Sequence, residues 1–252
     1  VLTIMENLSF DDLPFFNGLL THLFHYGLPV PAPKQTLDGM TSTIFCNKPT
    51  VLFPKLEGGH HEKPTAHHCV QIGKVLGDIH CALATTDLHR PNPFNVDWMI
   101  GTIERVGPLL DESDQVLLHK MAEEYAELNE LSLPKGVTHG DLFRDNALFV
   151  QDELTGVIDF YRACDDFLIQ DVAITINDWC RTLDDEIDES LKISLITGYE
   201  SVRSLEKEEK EFLPCFQRAA CARFALTRLL SGNEGEHLKD PHEYIQLAAR
   251  LF

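Results

Sequence analysis

The sequence has no apolar run approaching the ~20 residues that a helix needs to cross a bilayer. Basic residues are also scarce, since 21 Lys and Arg stand against 40 Asp and Glu and leave a net charge of −19. Proteins that bind nucleic acids gain affinity from Lys and Arg side chains that neutralise phosphates. We therefore expect neither a membrane segment nor a nucleic-acid partner.

Paired cysteines are missing as well. The seven cysteines are scattered along the chain, without a Cys-x-x-Cys pair or the spacing of a metal site. Their odd number and their scatter suit a reducing compartment better than a disulfide framework. The sequence therefore predicts free thiols and a cytoplasmic location.

One polar motif in the second half of the chain is typical of a known chemistry. It consists of His139-Gly140-Asp141-Leu142-Phe143-Arg144-Asp145-Asn146, followed by Ile158-Asp159-Phe160. The spacing matches the catalytic loop of kinases, H-x-D-L-x-x-x-N, and the metal-binding Asp before Phe. Predicted strands at 147–150 and 155–158 form a hairpin that would carry Asn146 and Asp159 at neighbouring ends. The pattern indicates phosphoryl transfer.

Three of these side chains have the chemistry that phosphoryl transfer needs, which is positioning and the neutralisation of charge on phosphate oxygens. Asp141 would accept or orient the proton of the attacking hydroxyl. Asn146 and Asp159 would hold Mg²⁺, a hard cation that prefers oxygen ligands. Isolated acids beside apolar strands usually mark solvated loop ends, but here the whole template is matched together.

Two departures from the template of regulated protein kinases argue against a protein substrate. Gly140 stands where those kinases usually have an Arg that meets an activation-loop phosphate. Tyr161 follows Phe160 where they have Gly, and no Ala-Pro-Glu triplet occurs downstream. We therefore expect a small-molecule acceptor.

The motifs H-G-D-x-x-x-x-N and I-D-F resemble those of the family of aminoglycoside phosphotransferases, choline kinases and related small-molecule kinases. Residues 139–149, 156–164 and 171–180 are similar, more narrowly, to the homoserine kinases of that family, and shorter segments near 12–16, 27–31 and 64–69 agree. The resemblance implies an α+β, protein-kinase-like fold of two lobes. It also implies ATP- and Mg²⁺-dependent phosphorylation of the side-chain hydroxyl of L-homoserine.

Homoserine carries an ammonium and a carboxylate, so this resemblance implies a pocket with an acid and a cation near Asp141. Arg144 on the catalytic loop is the first candidate cation and Asp178 the candidate acid. Arg223 is a further candidate cation, for which a surface salt bridge is the alternative. Choline, an aminoglycoside or another amino alcohol remain alternative acceptors, because specificity depends on the geometry of the pocket.

The two lobes are predicted at residues 1–56, a partial β-rich N-lobe with the hinge, and 57–252, a mainly helical C-lobe. The strand-like run from Val1 to Glu6 has no glycine-rich hairpin before it, so we expect a further N-terminal segment. Thr3 stands where kinases have a phosphate-binding Lys, which leaves open a nucleotide-binding protein without catalysis. The resemblance favours a hinge at 52–58, with Phe53 and Leu56 contacting ATP, over an ordinary strand end.

Apolar spacing predicts further elements along the chain. Helices are expected at 11–26, 65–84, 112–131, 170–182, 187–204, 208–231 and 241–250, and strands at 41–46 and 50–54. We expect Thr65 and Asp171 to cap their helices, and His139 to brace the catalytic loop by hydrogen bonding. The pairs His60-His61 and His67-His68 match no metal template, so hydrogen-bonding or solvent-facing roles are expected for them.

Overall fold

A three-stranded antiparallel sheet forms the N-terminal part of the fold in the computed structural model, which describes residues 1–6, 8–182, 184, 186–232 and 240–252. Strand β3 (Lys48–Leu52) lies between β1 (Leu2–Ile4) and β2 (Thr43–Phe45). Helix α1 (Leu13–His25) connects β1 to β2 along the chain and buries apolar residues at helical spacing. Gly27, with a φ of +94°, follows the end of this helix.

Two short antiparallel pairs carry the predicted catalytic motif. Strand β4 (Lys135–Thr138) pairs with β7 (Cys164–Phe167), and β5 (Ala147–Val150) forms a hairpin with β6 (Glu153–Val157). The chain that leaves the N-terminal sheet joins this hairpin through a bridge between Gly59 and Phe149. Residues 139–146 of the motif therefore lie between β4 and β5, and each of these strands is held by its partner strand.

Helices make up most of the remaining described chain. In chain order they are α2 (Ala66–Leu83), α3 (Val96–Val106), α4 (Glu112–Leu128), α5 (Leu168–Trp179), α6 (Glu189–Glu200), α7 (Lys207–Gly232) and α8 (His242–Arg250). Every residue of α5 is buried, so this helix is central to the core. Within the described residues, we find no helix with the length and apolar character to span a bilayer.

Helices α2 and α6 touch backbone to backbone. A Cβ atom at Gly73 would lie 1.9 Å from the carbonyl oxygen of Leu195, and one at Gly198 would lie 2.0 Å from that of Val70. Since side chains cannot approach a backbone so closely, glycine is required on both helices. The seam between α2 and α6 is therefore fixed by small residues.

The elements confirm most of the predicted secondary structure and the α+β class. Each predicted helix is present with ends that differ by a few residues, and Thr65 caps α2 as expected, since its hydroxyl accepts from the N–H of His68. Helix α3 and strand β7 were not predicted. The division into lobes at residues 56 and 57 stays a prediction.

Candidate active site

A buried carboxylate holds the backbone of the catalytic loop. Asp171 on α5 accepts hydrogen bonds from the backbone N–H of His139 at 2.7 Å and of Gly140 at 2.9 Å, and its Oδ2 lies 3.1 Å from His80 Nε2. Burial alone would raise the pKa of Asp171, but the hydrogen bond and charge of His80 outweigh it and hold that pKa below its ordinary value. The expectation that Asp171 caps its own helix is wrong, because the loop uses both of its oxygens.

The same network reaches α6. Nδ1 of His80 lies 2.7 Å from the hydroxyl of Tyr199, which also accepts from Arg203 at 3.1 Å. His80, Asp171 and Tyr199 are all buried. The position of α6 is thereby connected to the catalytic loop through hydrogen bonds.

Gly140 and His139 shape the loop itself. Gly140 has a φ of +75°, and a Cβ there would lie 2.8 Å from the carbonyl oxygen of Arg162, so both the conformation and the space require glycine. His139 accepts from the N–H of Asp141 through Nδ1 and therefore donates from Nε2 to the carbonyl of Ile158 at 3.1 Å. Burial lowers the pKa of His139, which keeps the ring neutral. His139 thus braces the loop as predicted.

Asp141, Asn146 and Asp159 come together in one region. The side-chain amide of Asn146 donates to the carbonyl oxygen of Asp141 at 2.7 Å and approaches its carboxylate at 3.4 Å. The backbone N–H of Ile158 donates to the carbonyl oxygen of Asn146 at 2.9 Å, so Asp159 follows directly after the residue that pairs with Asn146. Asp159 adopts the left-handed conformation, with φ 64° and ψ 56°, which is uncommon outside glycine.

The charges around Asp141 are mixed. Burial raises the pKa of Asp141 to about 7, the charge of Arg223 opposes this, and the charge of Asp159 adds to it. Arg162 is a second cation that favours the ionised form of Asp141. A carboxyl group with a pKa close to neutrality is suited to accepting a proton.

A cavity of about 380 Å³ opens beside these residues, between the N-terminal sheet and the β5–β6 hairpin. Its lining includes Thr3, Phe53, Lys55, Leu56, Leu148 and Asp159. Phe53 and Leu56, the predicted nucleotide contacts, therefore share a cavity with Asp159. The apolar wall and the acidic end match what a nucleotide base and a metal-bound phosphate group require.

Arg144 and Asp178, two predicted acceptor-binding residues, pair with each other. Asp178 Oδ2 accepts from the backbone N–H of Arg144 at 2.7 Å and from its Nε at 3.1 Å, and Oδ1 lies 3.4 Å from Nη2. Nη1 of Arg144 donates to the carbonyl of Glu62 at 3.0 Å. Both residues line a separate cavity of about 230 Å³. Arg223, the third predicted residue, is the one whose charge acts on Asp141.

Sequence reasoning missed two residues of this region, Arg162 and Phe94. The guanidinium carbon of Arg162 lies 5.3 Å from the centre of the Phe94 ring, and that of Arg223 lies 4.2 Å from it. Arg162 follows Asp159 by three positions, so the motif could have pointed to it. Phe94 stands in a stretch without any motif.

One histidine of each pair lies in a cluster with an acid. Ligand atoms of His61, His68 and Asp152 lie within 4.8 Å of one another. However, Nδ1 of His68 accepts from the N–H of Thr65, so Nε2 carries the proton that Asp152 accepts at 3.1 Å. An imidazole that binds a metal through one nitrogen normally donates a hydrogen bond from the other. Nδ1 of His68 does not donate, because it accepts from the N–H of Thr65. Helix capping accounts for His68.

Known proteins are similar to this chain in sequence. The model of the phosphotransferase enzyme family matches residues 1–205. The homoserine kinase of Pseudomonas aeruginosa is 39% identical over 99% of this chain and 81% of its own length. The homoserine kinase of Neisseria meningitidis serogroup B is 38% identical over 100% of this chain and 84% of its own length.

Solved structures also match. An amicoumacin kinase in complex with AMP-PNP and Ca²⁺ has a TM-score of 0.77 at 14% identity, covering 99% of this chain and 78% of that one. A microcompartment-associated aminopropanol kinase has a TM-score of 0.66 at 17% identity, covering 99% of this chain and 82% of that one. At such identities the likeness shows the fold alone, and it confirms the predicted protein-kinase-like architecture.

The spacing of the catalytic motif, its placement beside the cavity and the match over residues 1–205 all point the same way. The chain therefore belongs to the phosphotransferase enzyme family, within its homoserine kinase branch, and is a small-molecule kinase.

Proposed function

We propose that this kinase transfers the γ-phosphoryl group of ATP to the side-chain hydroxyl of L-homoserine and produces O-phospho-L-homoserine. The observation that carries the proposal is the meeting of Asp141, Asn146 and Asp159 beside a cavity that the predicted nucleotide contacts line. The identity of the acceptor rests on relatives named homoserine kinases that are 38 to 40% identical over nearly the whole chain.

In this mechanism Asp141 orients the hydroxyl of homoserine and accepts its proton. A bond forms between the hydroxyl oxygen and the γ-phosphorus, while the bond from that phosphorus to the β–γ bridging oxygen breaks. The electron pair of the broken bond leaves with ADP. Because the pKa of Asp141 is raised to about 7, a large fraction is ionised at neutral pH and can still hold the proton after transfer.

Asn146 and Asp159 would hold Mg²⁺. Asn146 uses its amide N–H groups toward Asp141, which leaves its amide oxygen available, and no described residue donates a hydrogen bond to the Asp159 carboxylate. An amide oxygen and a carboxylate are a suitable donor set for a hard cation that keeps several waters. When bound, Mg²⁺ neutralises charge on the phosphate oxygens.

The nucleotide would bind where the two proposed lobes meet. Residues 1–56 contribute Thr3, Phe53 and Leu56 to the cavity, and the part from residue 57 onward contributes Leu148 and Asp159. Phe53 and Leu56 would contact the base, which leaves the acidic end of the cavity for the phosphates. We also propose a cytoplasmic location, which the seven free thiols support.

An acceptor panel tests this proposal. With Mg-ATP, L-homoserine should give the highest kcat/KM among homoserine, choline, ethanolamine and an aminoglycoside, measured by ADP release with the product identified by phosphorus NMR. Asp141→Asn should lower kcat by ~10²–10⁴ while nucleotide binding is retained. A preference for choline or an aminoglycoside would refute the acceptor, and nucleotide binding without turnover on any acceptor would favour a non-catalytic protein.

A further inference from the structure

Arg223 on α7 is a buried arginine with one donor, Nε, from which no described residue accepts a hydrogen bond. Arg223 is 3% exposed, and its buried Nε has no hydrogen-bond partner among the residues that the structure describes. The guanidinium instead lies 4.2 Å from the centre of the Phe94 ring and 5.0 Å from that of Phe224. A guanidinium offers five N–H donors, and a buried charge without a hydrogen-bonded partner is unfavourable.

The neighbouring acid does not satisfy Arg223. Asp166 is buried, but its oxygens accept from the Tyr125 hydroxyl at 2.9 Å, the Asn92 amide at 2.9 Å and the backbone N–H of Phe167 at 2.7 Å. Burial also raises the pKa of Asp166 to about 6. Because other donors use the oxygens of Asp166, the Nε donor of Arg223 is available to another acceptor.

Arg162 brings a second positive charge to the same ring. Its guanidinium carbon lies 5.3 Å from the centre of the Phe94 ring. Arg162 is an exposed residue, and partial desolvation and then the like charge of Arg223 lower its pKa, while the charges of Asp141 and Asp159 oppose this. Both arginines act on Asp141. By contrast Arg90, a third arginine nearby, donates to the carbonyl of Ala163 at 3.1 Å.

We propose that Arg223 and Arg162, held against Phe94, form a subsite that binds a carboxylate of the acceptor next to Asp141. The proposal rests on the proposed function, because it assigns the acceptor of that phosphoryl transfer to the hydroxy acids. A carboxylate matches the planar fork of arginine, offers an acceptor to Nε of Arg223 and places a negative charge beside two guanidiniums. Amino alcohols without a carboxylate bring only a further positive charge, which the subsite repels.

Matched acceptors isolate the carboxylate. L-Homoserine and 3-amino-1-propanol differ by this group alone, as do L-serine and ethanolamine, so each pair reports the contribution of the carboxylate to kcat/KM. Since one hydrogen bond to a charged group is worth about 10- to 100-fold, the wild type should prefer the carboxylate member of each pair by at least about tenfold. A wild type that prefers the amino alcohols would overturn the subsite.

The variants Arg223→Gln and Arg162→Gln assign that preference to residues. Each should lower kcat/KM for the hydroxy acids by about 10- to 100-fold more than that for the amino alcohols, because loss of a positive charge near Asp141 affects both members of a pair alike, whereas loss of the carboxylate contact affects only the hydroxy acid. Arg105→Gln, at an exposed arginine on α3, is the matched control and should behave as the wild type. An equal loss on both members of a pair would contradict a role in carboxylate binding.

A binding measurement covers variants or acceptors that give no turnover. With AMP-PNP and Mg²⁺ present, L-homoserine should raise the melting temperature of the wild type and of Arg105→Gln, but not of Arg223→Gln. If Arg223→Gln does not fold, Arg162→Gln decides the outcome. No stabilisation of the wild type by either hydroxy acid would overturn the subsite.

The two proposals can fail separately. If L-serine is preferred over ethanolamine while L-homoserine is not a substrate, the acceptor of the proposed function is wrong and the subsite stands. If L-homoserine is phosphorylated but Arg223→Gln and Arg162→Gln leave its kcat/KM unchanged, the function stands and the subsite is wrong.

Discussion

Two arginines close to the catalytic loop, Arg144 and Arg223, have opposite surroundings. Arg144 donates to Asp178 and to the carbonyl of Glu62, whereas the buried Nε of Arg223 has no partner among the described residues. An arginine whose donors are used stabilises the fold, while a buried one without acceptors costs stability and is suited to a ligand. The hydrogen bonds already made therefore support a structural role for Arg144 and the proposed binding role for Arg223.

Removing the partner of Arg144 should have the largest effect on stability. In Asp178→Ala the backbone N–H and the guanidinium of Arg144 lose their acceptors, and we expect unfolding to become easier by ~2–3 kcal/mol. The side chain of Arg144 is 31% exposed, so water replaces part of the loss. Urea unfolding measures the change, with Glu104→Ala at an exposed acid as the control. Unchanged stability would contradict the structural role of the pair.

Asp141, the acid near Arg223, should by contrast reduce the stability of the folded protein when it is ionised. Because burial raises the folded-state pKa of Asp141 to about 7, the folded protein holds a proton that the unfolded chain releases above its ordinary pKa. Wild-type stability should therefore fall as pH rises through this window, and it should change no further above about pH 7. The stability of Asp141→Asn should not fall in this way, because asparagine has no carboxyl group to ionise.

Calorimetry without nucleotide or metal tests that expectation. Asp141→Asn should be more stable than the wild type by ~1–2 kcal/mol near pH 8, a value reduced for the partial exposure of Asp141, and the gain should disappear toward pH 4. A gain that is the same at both pH values would show that ionisation of Asp141 is not its cause.

The smallest effect is expected for acceptor binding by Arg144. Because its side chain is engaged by Asp178 and Glu62, Arg144→Gln should change the KM for L-homoserine by less than about threefold. Steady-state kinetics at saturating ATP provide the measurement, with Arg223→Gln assayed in parallel. A large increase in that KM for Arg144→Gln alone would restore the assignment made from the sequence.

The catalytic motif could be predicted because its geometry is local. Asp141 and Asn146 share one loop, and the hairpin register places Val157 opposite Ala147, which fixes Asp159 nearby. Periodicity likewise predicted helices that bury one apolar face, such as α1 and α2. These features need no knowledge of distant contacts.

The missing elements and residues have separate physical reasons. Strand β7 contains two acids in Cys164–Phe167, and the buried Asp166 accepts hydrogen bonds from Tyr125 and Asn92, which lie far away in the sequence. Helix α3 has an Asn95 cap and an apolar face, so its signal was present and overlooked. The partners of Asp171, by contrast, lie on another segment, and its position in the sequence predicts only a local cap.

The glycine seam between α2 and α6 has a consequence for heat inactivation. Gly73 lets the two backbones touch, and this contact seats Tyr199 against His80, which in turn holds the carboxylate under the catalytic loop. Each hydrogen bond from Tyr199 to the loop depends on the one before it. A small separation of α6 from α2 on warming would therefore release the loop while most helices remain folded. The enzyme should then lose its activity at temperatures at which its circular dichroism spectrum is still that of the native protein.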